Sequence, residues 1–157
     1  ALGRLKANVN ATASDGATPL YVASQNGHTD VVEALGRLKA DVNTPKNDGA
    51  TPLFVASQNG HVMMVVALGR LKADVNTPKK DGASPLFVAS WNGHVGMVEA
   101  LGRLKADVNT PLFDGATPLY IASLKGNIDV VEALGRLKAD VNTPMNDGAT
   151  PLYIASL

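Results

Sequence analysis

Three histidines, fourteen carboxylates and no cysteine are the side chains of this 157-residue chain that could do chemistry. Without cysteine there is no disulfide, no zinc-thiolate site and no thiol nucleophile. His28, His61 and His94 are the candidate metal ligands, but they recur at a fixed interval of 33 residues. If each belongs to one unit of a stack, they lie about 8–10 Å apart. One zinc ion needs its nitrogens at about 2.0–2.1 Å, so these imidazoles cannot share a metal. They read instead as loop residues at the start of a helix. Asp41, Asp74, Asp107 and Asp140 recur at the same interval and read as structural, and no Ser/His/Asp set stands out. The glycines fall singly in fixed phases, so no phosphate-cradling loop is present. The expectation is a protein that is not an enzyme and carries no cofactor.

Charge narrows the choice further. Fourteen basic and fourteen acidic residues cancel. The recurrent Arg-x-Lys pairs, Arg37/Lys39 and their copies, form a regular basic stripe. The acidic residues offset it, so we expect a solvated helix face and no nucleic-acid partner. The longest apolar run, 62–68, is far shorter than the roughly 18 residues of a membrane helix, so no membrane contact is expected. Asn10-Ala11-Thr12 is a glycosylation sequon, a pattern that arises often by chance. Cysteine absence suits an intracellular, cytoplasmic setting.

The elements that must position these residues come from self-comparison. Asp-Gly-Ala opens at Asp15, Asp48, Asp81, Asp114 and Asp147, always 33 residues apart. Residues 15–47, 48–80, 81–113 and 114–146 are full repeats, and 21 of their 33 positions are the same in all four. Residues 1–14 match the second part of a repeat and 147–157 the opening of one, so the expected organisation is a single domain cut from a longer array. In each repeat, Asn47-Asp48-Gly49 is a turn signal, and Thr51-Pro52 is a helix start with a capping hydroxyl and proline at the first position. That helix, 53–59, stops at Gly60. A second helix over 62–71 carries Met64, Val65, Leu68 and Leu71 on one stripe. An extended Ala73-Asp74-Val75-Asn76-Thr77-Pro78 leads to the next turn. Such a unit cannot bury a core alone, but stacked units can.

Asp48-Gly49-x-Thr51-Pro52-Leu53, Ala56, Asn59-Gly60-His61, Val65, Leu68 and Ala73-Asp74-Val75-Asn76 together resemble the ankyrin repeat along the whole chain. The resemblance implies an all-α repeat solenoid: stacked helix-turn-helix ankyrin repeats with projecting β-hairpin loops. Two departures stand out. Tyr21, Phe54, Phe87, Tyr120 and Tyr153 replace the family's histidine, so ring packing is expected in place of a polar network. Gly36, Gly69, Gly102 and Gly135 stand where the family prefers leucine, with Leu38, Leu71, Leu104 and Leu137, two residues on, expected to refill the space. Lys39 and its copies occupy a helix-stop position that favours glycine, and left-handed strain is expected there.

The resemblance also brings in asparagine hydroxylation by a 2-oxoglutarate dioxygenase at Asn43, Asn76, Asn109 and Asn142. Against it stands the expectation that these side chains hydrogen-bond their own turns.

Function is sought where the copies differ. Hairpin tips carry Lys46-Asn47, Lys79-Lys80, Leu112-Phe113 and Met145-Asn146, and the first helices end in Gln25-Asn26, Gln58-Asn59, Trp91-Asn92 and Leu124-Lys125. By resemblance both regions line a concave groove that binds a protein or peptide. Lys46, Gln58, Lys79 and Lys80 make its N-terminal part polar and basic. Trp91, Leu112, Phe113, Leu124 and Met145 make its C-terminal part apolar, the composition of a binding hot spot. A third variable region, Asp30/Met63/Gly96/Asp129, falls on the second helix. The expectation is a protein-interaction module; the alternatives are a spacer or spring segment of a long array and an engineered or consensus-derived binder. Leu2, Leu5, Leu152 and Ile154 at the incomplete ends raise the possibility of end-to-end self-stacking.

Overall fold

A computed structural model describes residues 8–156. Leu2 and Leu5, half of the expected stacking surface, lie outside the described residues. Nine helices and no strand occur among those residues: α1 (Pro19–Gln25), α2 (Thr29–Arg37), α3 (Pro52–Gln58), α4 (Val62–Arg70), α5 (Pro85–Trp91), α6 (Val95–Arg103), α7 (Pro118–Leu124), α8 (Ile128–Arg136) and α9 (Pro151–Ala155). Each odd helix starts as expected. Thr51 Oγ1 accepts from Phe54 N at 3.1 Å, with Pro52 in the first turn, and Thr18, Ser84, Thr117 and Thr150 repeat the cap. The odd helices stack as one row and the even helices as a second, with each pair packed together. The result is an all-α repeat solenoid.

Both helix ends close by the same hydrogen-bond scheme. After α1, His28 N donates to Ala23 O and Gly27 N to Ser24 O, with Gly27 at φ +74°. After α2, Ala40 N donates to Leu35 O and Lys39 N to Gly36 O. This six-to-one and five-to-two pairing is a Schellman stop, which puts the residue after the cap in the left-handed region. Lys39, Lys72, Lys105 and Lys138 therefore sit at φ +63° to +66°, bearing the strain the sequence implied. The connecting loops carry tight turns, consistent with projecting hairpin loops, though no strand occurs among the described residues. Lys46 N donates to Ala50 O, Gly49 N donates to Lys46 O, and Asp48 Oδ1 accepts from Ala50 N.

The core has two layers. Leu20, Leu53, Leu86 and Leu119 join Met64, Val65, Leu68 and their copies between the two helix rows. On the loop side, Tyr21, Phe54, Phe87 and Tyr120 form a buried column with Ala50, Val55, Ala83 and Ile121. Ring packing thus occupies the place of the family's histidines.

The helical glycines are explained by the neighbouring repeat, not by their own. A Cβ on Gly36 would lie 2.6 Å from Leu71 Cδ2, on Gly69 2.8 Å from Leu104 Cδ2, and on Gly102 2.5 Å from Leu137 Cδ2. The expected refilling is correct in residue type, but each leucine belongs to the following unit. Gly135, by contrast, has nothing within 4 Å.

These contacts set opposite outcomes for one substitution. Gly135→Ala gains helix propensity at no steric cost and should stabilise by about 0.5–1 kcal/mol. Gly69→Ala places a methyl against Leu104 and should destabilise by about 1 kcal/mol or more. Urea denaturation followed by circular dichroism distinguishes them. Lys72→Gly, which relieves a left-handed lysine, should stabilise by about 0.5–1 kcal/mol in the same assay.

Candidate functional site

The odd-helix ends and the loops meet in one shallow depression of about 360 Å³. Its lining includes Gln58 and Lys79 on one side and Trp91, Leu112 and Val88 on the other. Trp91 is the last residue of α5 and is 45% exposed. One helical turn earlier, Phe87 meets it with ring centroids 6.3 Å apart. Lys125, capping α7 in the next repeat, places Nζ 4.3 Å from the centre of the indole ring. That cation–π contact and the Phe87 packing hold the indole between two repeats.

The depression exists because one loop position changes type. Lys46, Lys79, Leu112 and Met145 are equivalent, and all four are half-buried. Lys46 Nζ pairs with Asp15 Oδ2 at 3.0 Å and lies 5.4 Å from the centre of the Tyr21 ring. Lys79 Nζ lies 3.7 Å from Asp48 Oδ2 and 3.4 Å from Asp81 Oδ2. Leu112 and Met145 pack against the aromatic column and pair with no carboxylate. Leucine is the shortest of the four, and Val88 beneath it is only half-buried where Val55 and Ile121 are fully buried. The Lys46 ammonium holds the Asp15 carboxyl below the usual carboxylate range, and Asp15 in turn raises Lys46. Burial pushes the Tyr21 hydroxyl up.

Of the residues singled out by their variation, Gln58, Lys79, Trp91 and Leu112 share this depression. Phe113, Leu124, Met145, Lys46 and Lys80 lie outside its lining. Phe113 is 78% exposed, with its ring beside Gly82 of the preceding loop rather than folded on its own. Leu124 is 53% exposed at the end of α7. Lys80 is exposed and has no carboxylate partner among the described residues. Sequence reasoning missed Lys125 as a neighbour of the tryptophan. The signal was there: lysine replaces the asparagine found at Asn26, Asn59 and Asn92.

The remaining candidates have structural duties. His61 Nε2 and Asn59 Nδ2 both donate to Gln25 O, at 3.1 and 2.9 Å, and His94 and Asn92 do the same to Gln58 O. The loop asparagines do not bond their own turns, which corrects the expectation. Asn43 Oδ1 accepts from Asp74 N of the next repeat at 2.8 Å, Asn76 from Asp107 N and Asn109 from Asp140 N. The aspartates close the local turns instead, Asp41 Oδ1 accepting from Asn43 N. Asn142 Oδ1 has no such partner among the described residues. Met63 is exposed on α4, in the even row. Among the described residues, no helix is long and apolar enough to cross a membrane.

The family model described as "Ankyrin repeats (3 copies)" matches residues 2–79, 38–111 and 86–157. No curated protein matches the chain. With the model covering nearly the full length, the chain belongs to the ankyrin-repeat family, whose members are generally protein–protein interaction modules and typically not enzymes.

Proposed function

We propose that this protein is a non-enzymatic interaction module that holds a protein or peptide partner across its loops and first helices, with Trp91 as the central anchor. The observation that carries this reading is the depression beside Trp91, where a large aromatic side chain stays 45% exposed although it is gripped by Phe87 and Lys125. A rigid, partly exposed aromatic with apolar neighbours Leu112 and Val88 binds with little entropic cost. Leu124, Phe113 and Met145 extend the contact toward the C-terminus, and Lys46, Lys79, Lys80 and Gln58 form its polar side. The absence of cysteine fits a cytoplasmic setting.

Trp91→Ala and Phe113→Ala should each weaken a partner recovered with this chain by about 2 kcal/mol or more. Calorimetry measures the loss, and unchanged far-UV circular dichroism shows that the helices persist. Trp91 is the only tryptophan, so its fluorescence should change on binding. Equal affinity in both variants would refute the site.

A second reading is favoured by the terminal helix. Leu152 and Tyr153 on α9 are 69% and 58% exposed, whereas their equivalents Leu119 and Tyr120 are buried. This surface and the open Gly135 suit end-to-end stacking of copies. Sedimentation should then show mass rising with concentration, and Leu152→Glu should abolish the rise.

A further inference from the structure

The loop carboxylates that open each repeat are chemically alike but unequally served. Asp15, Asp48, Asp81 and Asp114 each use Oδ1 to accept from the backbone N–H two residues on. Oδ2 is left for a cation. In the N-terminal half the chain supplies that cation itself, Lys46 to Asp15 and Lys79 to Asp48 and Asp81. At Asp114 the lysine position is Met145, and Oδ2 has no cation partner among the described residues. The same exchange, Leu112 for lysine, opens the apolar depression one repeat earlier. Charge follows the same division: residues 1–80 carry nine basic and six acidic side chains, and residues 81–157 carry five and eight.

We infer that the partner is an extended segment carrying a large apolar residue and, about three residues away, a lysine or arginine. The inference rests on the groove reading above and deepens it. The apolar residue enters between Leu112, Val88 and Trp91, and the cation takes the seat on Asp114 Oδ2 that Lys46 and Lys79 fill for Asp15 and Asp48. The spacing follows from geometry. Adjacent repeats are about 10 Å apart, and an extended chain advances about 3.3 Å per residue. Lys125, stacked on the indole, disfavours a second cation there. It keeps the partner's basic residue on the Asp114 side. The segment thus imitates a contact that the chain makes with itself in its first two repeats.

The test is selection of a phage-displayed random dodecapeptide library on the full chain, with recovered peptides synthesised and their affinities for the chain and its variants measured by calorimetry. Enriched peptides should pair a large apolar residue with lysine or arginine at about that spacing. Asp114→Asn keeps the Oδ1 acceptor and removes the charge. Met145→Lys restores the internal cation seen at Lys46 and Lys79. Both should weaken these peptides about three- to fivefold, the size of an exposed ion pair, and the difference should shrink at high salt. Peptides that require Trp91 but lack a basic residue, or that bind Asp114→Asn unchanged, would overturn the inference and leave the groove reading intact. Peptides indifferent to Trp91→Ala would overturn both. A library with no enriched sequence would overturn the extended segment and leave the groove to a folded partner.

Discussion

The first three full repeats of this protein each depend on the next one to fill a hole that they cannot fill alone. The hole is a helical glycine, and the plug is a leucine one repeat further along, with 2.5–2.8 Å between the plug's methyl and the place a Cβ would take. A side chain of any size on the glycine would push the two even helices apart. Close approach then sets the distance at which the polar cross-links form. Asn43 reaches Asp74 N, and Asn59 and His61 both reach Gln25 O, only because the stack is that tight. Each such bond contributes about 0.5–1.5 kcal/mol net, and together they fix register along an array whose units are too small to fold alone.

That dependence makes the junctions comparable, and they are not equal. Between the first and second repeats, and between the second and third, a His and an Asn both donate to one glutamine carbonyl. Between the third and fourth, Asn127 donates to Ser90 O and Lys125 turns to the indole instead. The loop-to-loop bond made by Asn47 N, Lys80 N and Asn146 N has no counterpart at Phe113 among the described residues. The junction carrying Trp91, Leu112 and Phe113 is therefore built from a different set of bonds, Asn127 Nδ2 to Ser90 O and Asn146 Nδ2 to Phe113 O among them. The Arg136–Glu99 ion pair, 3.1 Å long and exposed, adds little.

Much of the fold was legible because repetition multiplies weak signals. Thr-Pro caps, glycine stops and the apolar stripe of the even helices each appear at least four times in fixed phase, and the helix bounds agree to within one residue. What escaped was the destination of side chains that point along the stack. The pattern places Leu71 in the space of the glycine in its own repeat, but it fills Gly36. The pattern places Asn43 on its own turn, but it bonds Asp74. Both errors share one cause: a residue and its counterpart in the next unit look alike in sequence, so the pattern does not say which copy supplies a contact. The candidate site shows the same limit, since variation marks Trp91, Leu112 and Lys125 alike but does not say that Lys125 stacks on the indole of the preceding repeat.

The sequence by itself determined the local chemistry: which residues cap, which turn, which are buried, and that lysine must hold a left-handed stop. These depend on a few consecutive residues, and backbone sterics and hydrogen-bond satisfaction act over that range. Only the tertiary structure decided the pairing between units, because it depends on distances across a junction that no single repeat encodes. The same holds for the binding face. Leu112 and Met145 are visible as departures from lysine, but that one opens a depression and the other leaves Asp114 unpaired follows from where the stack places their neighbours.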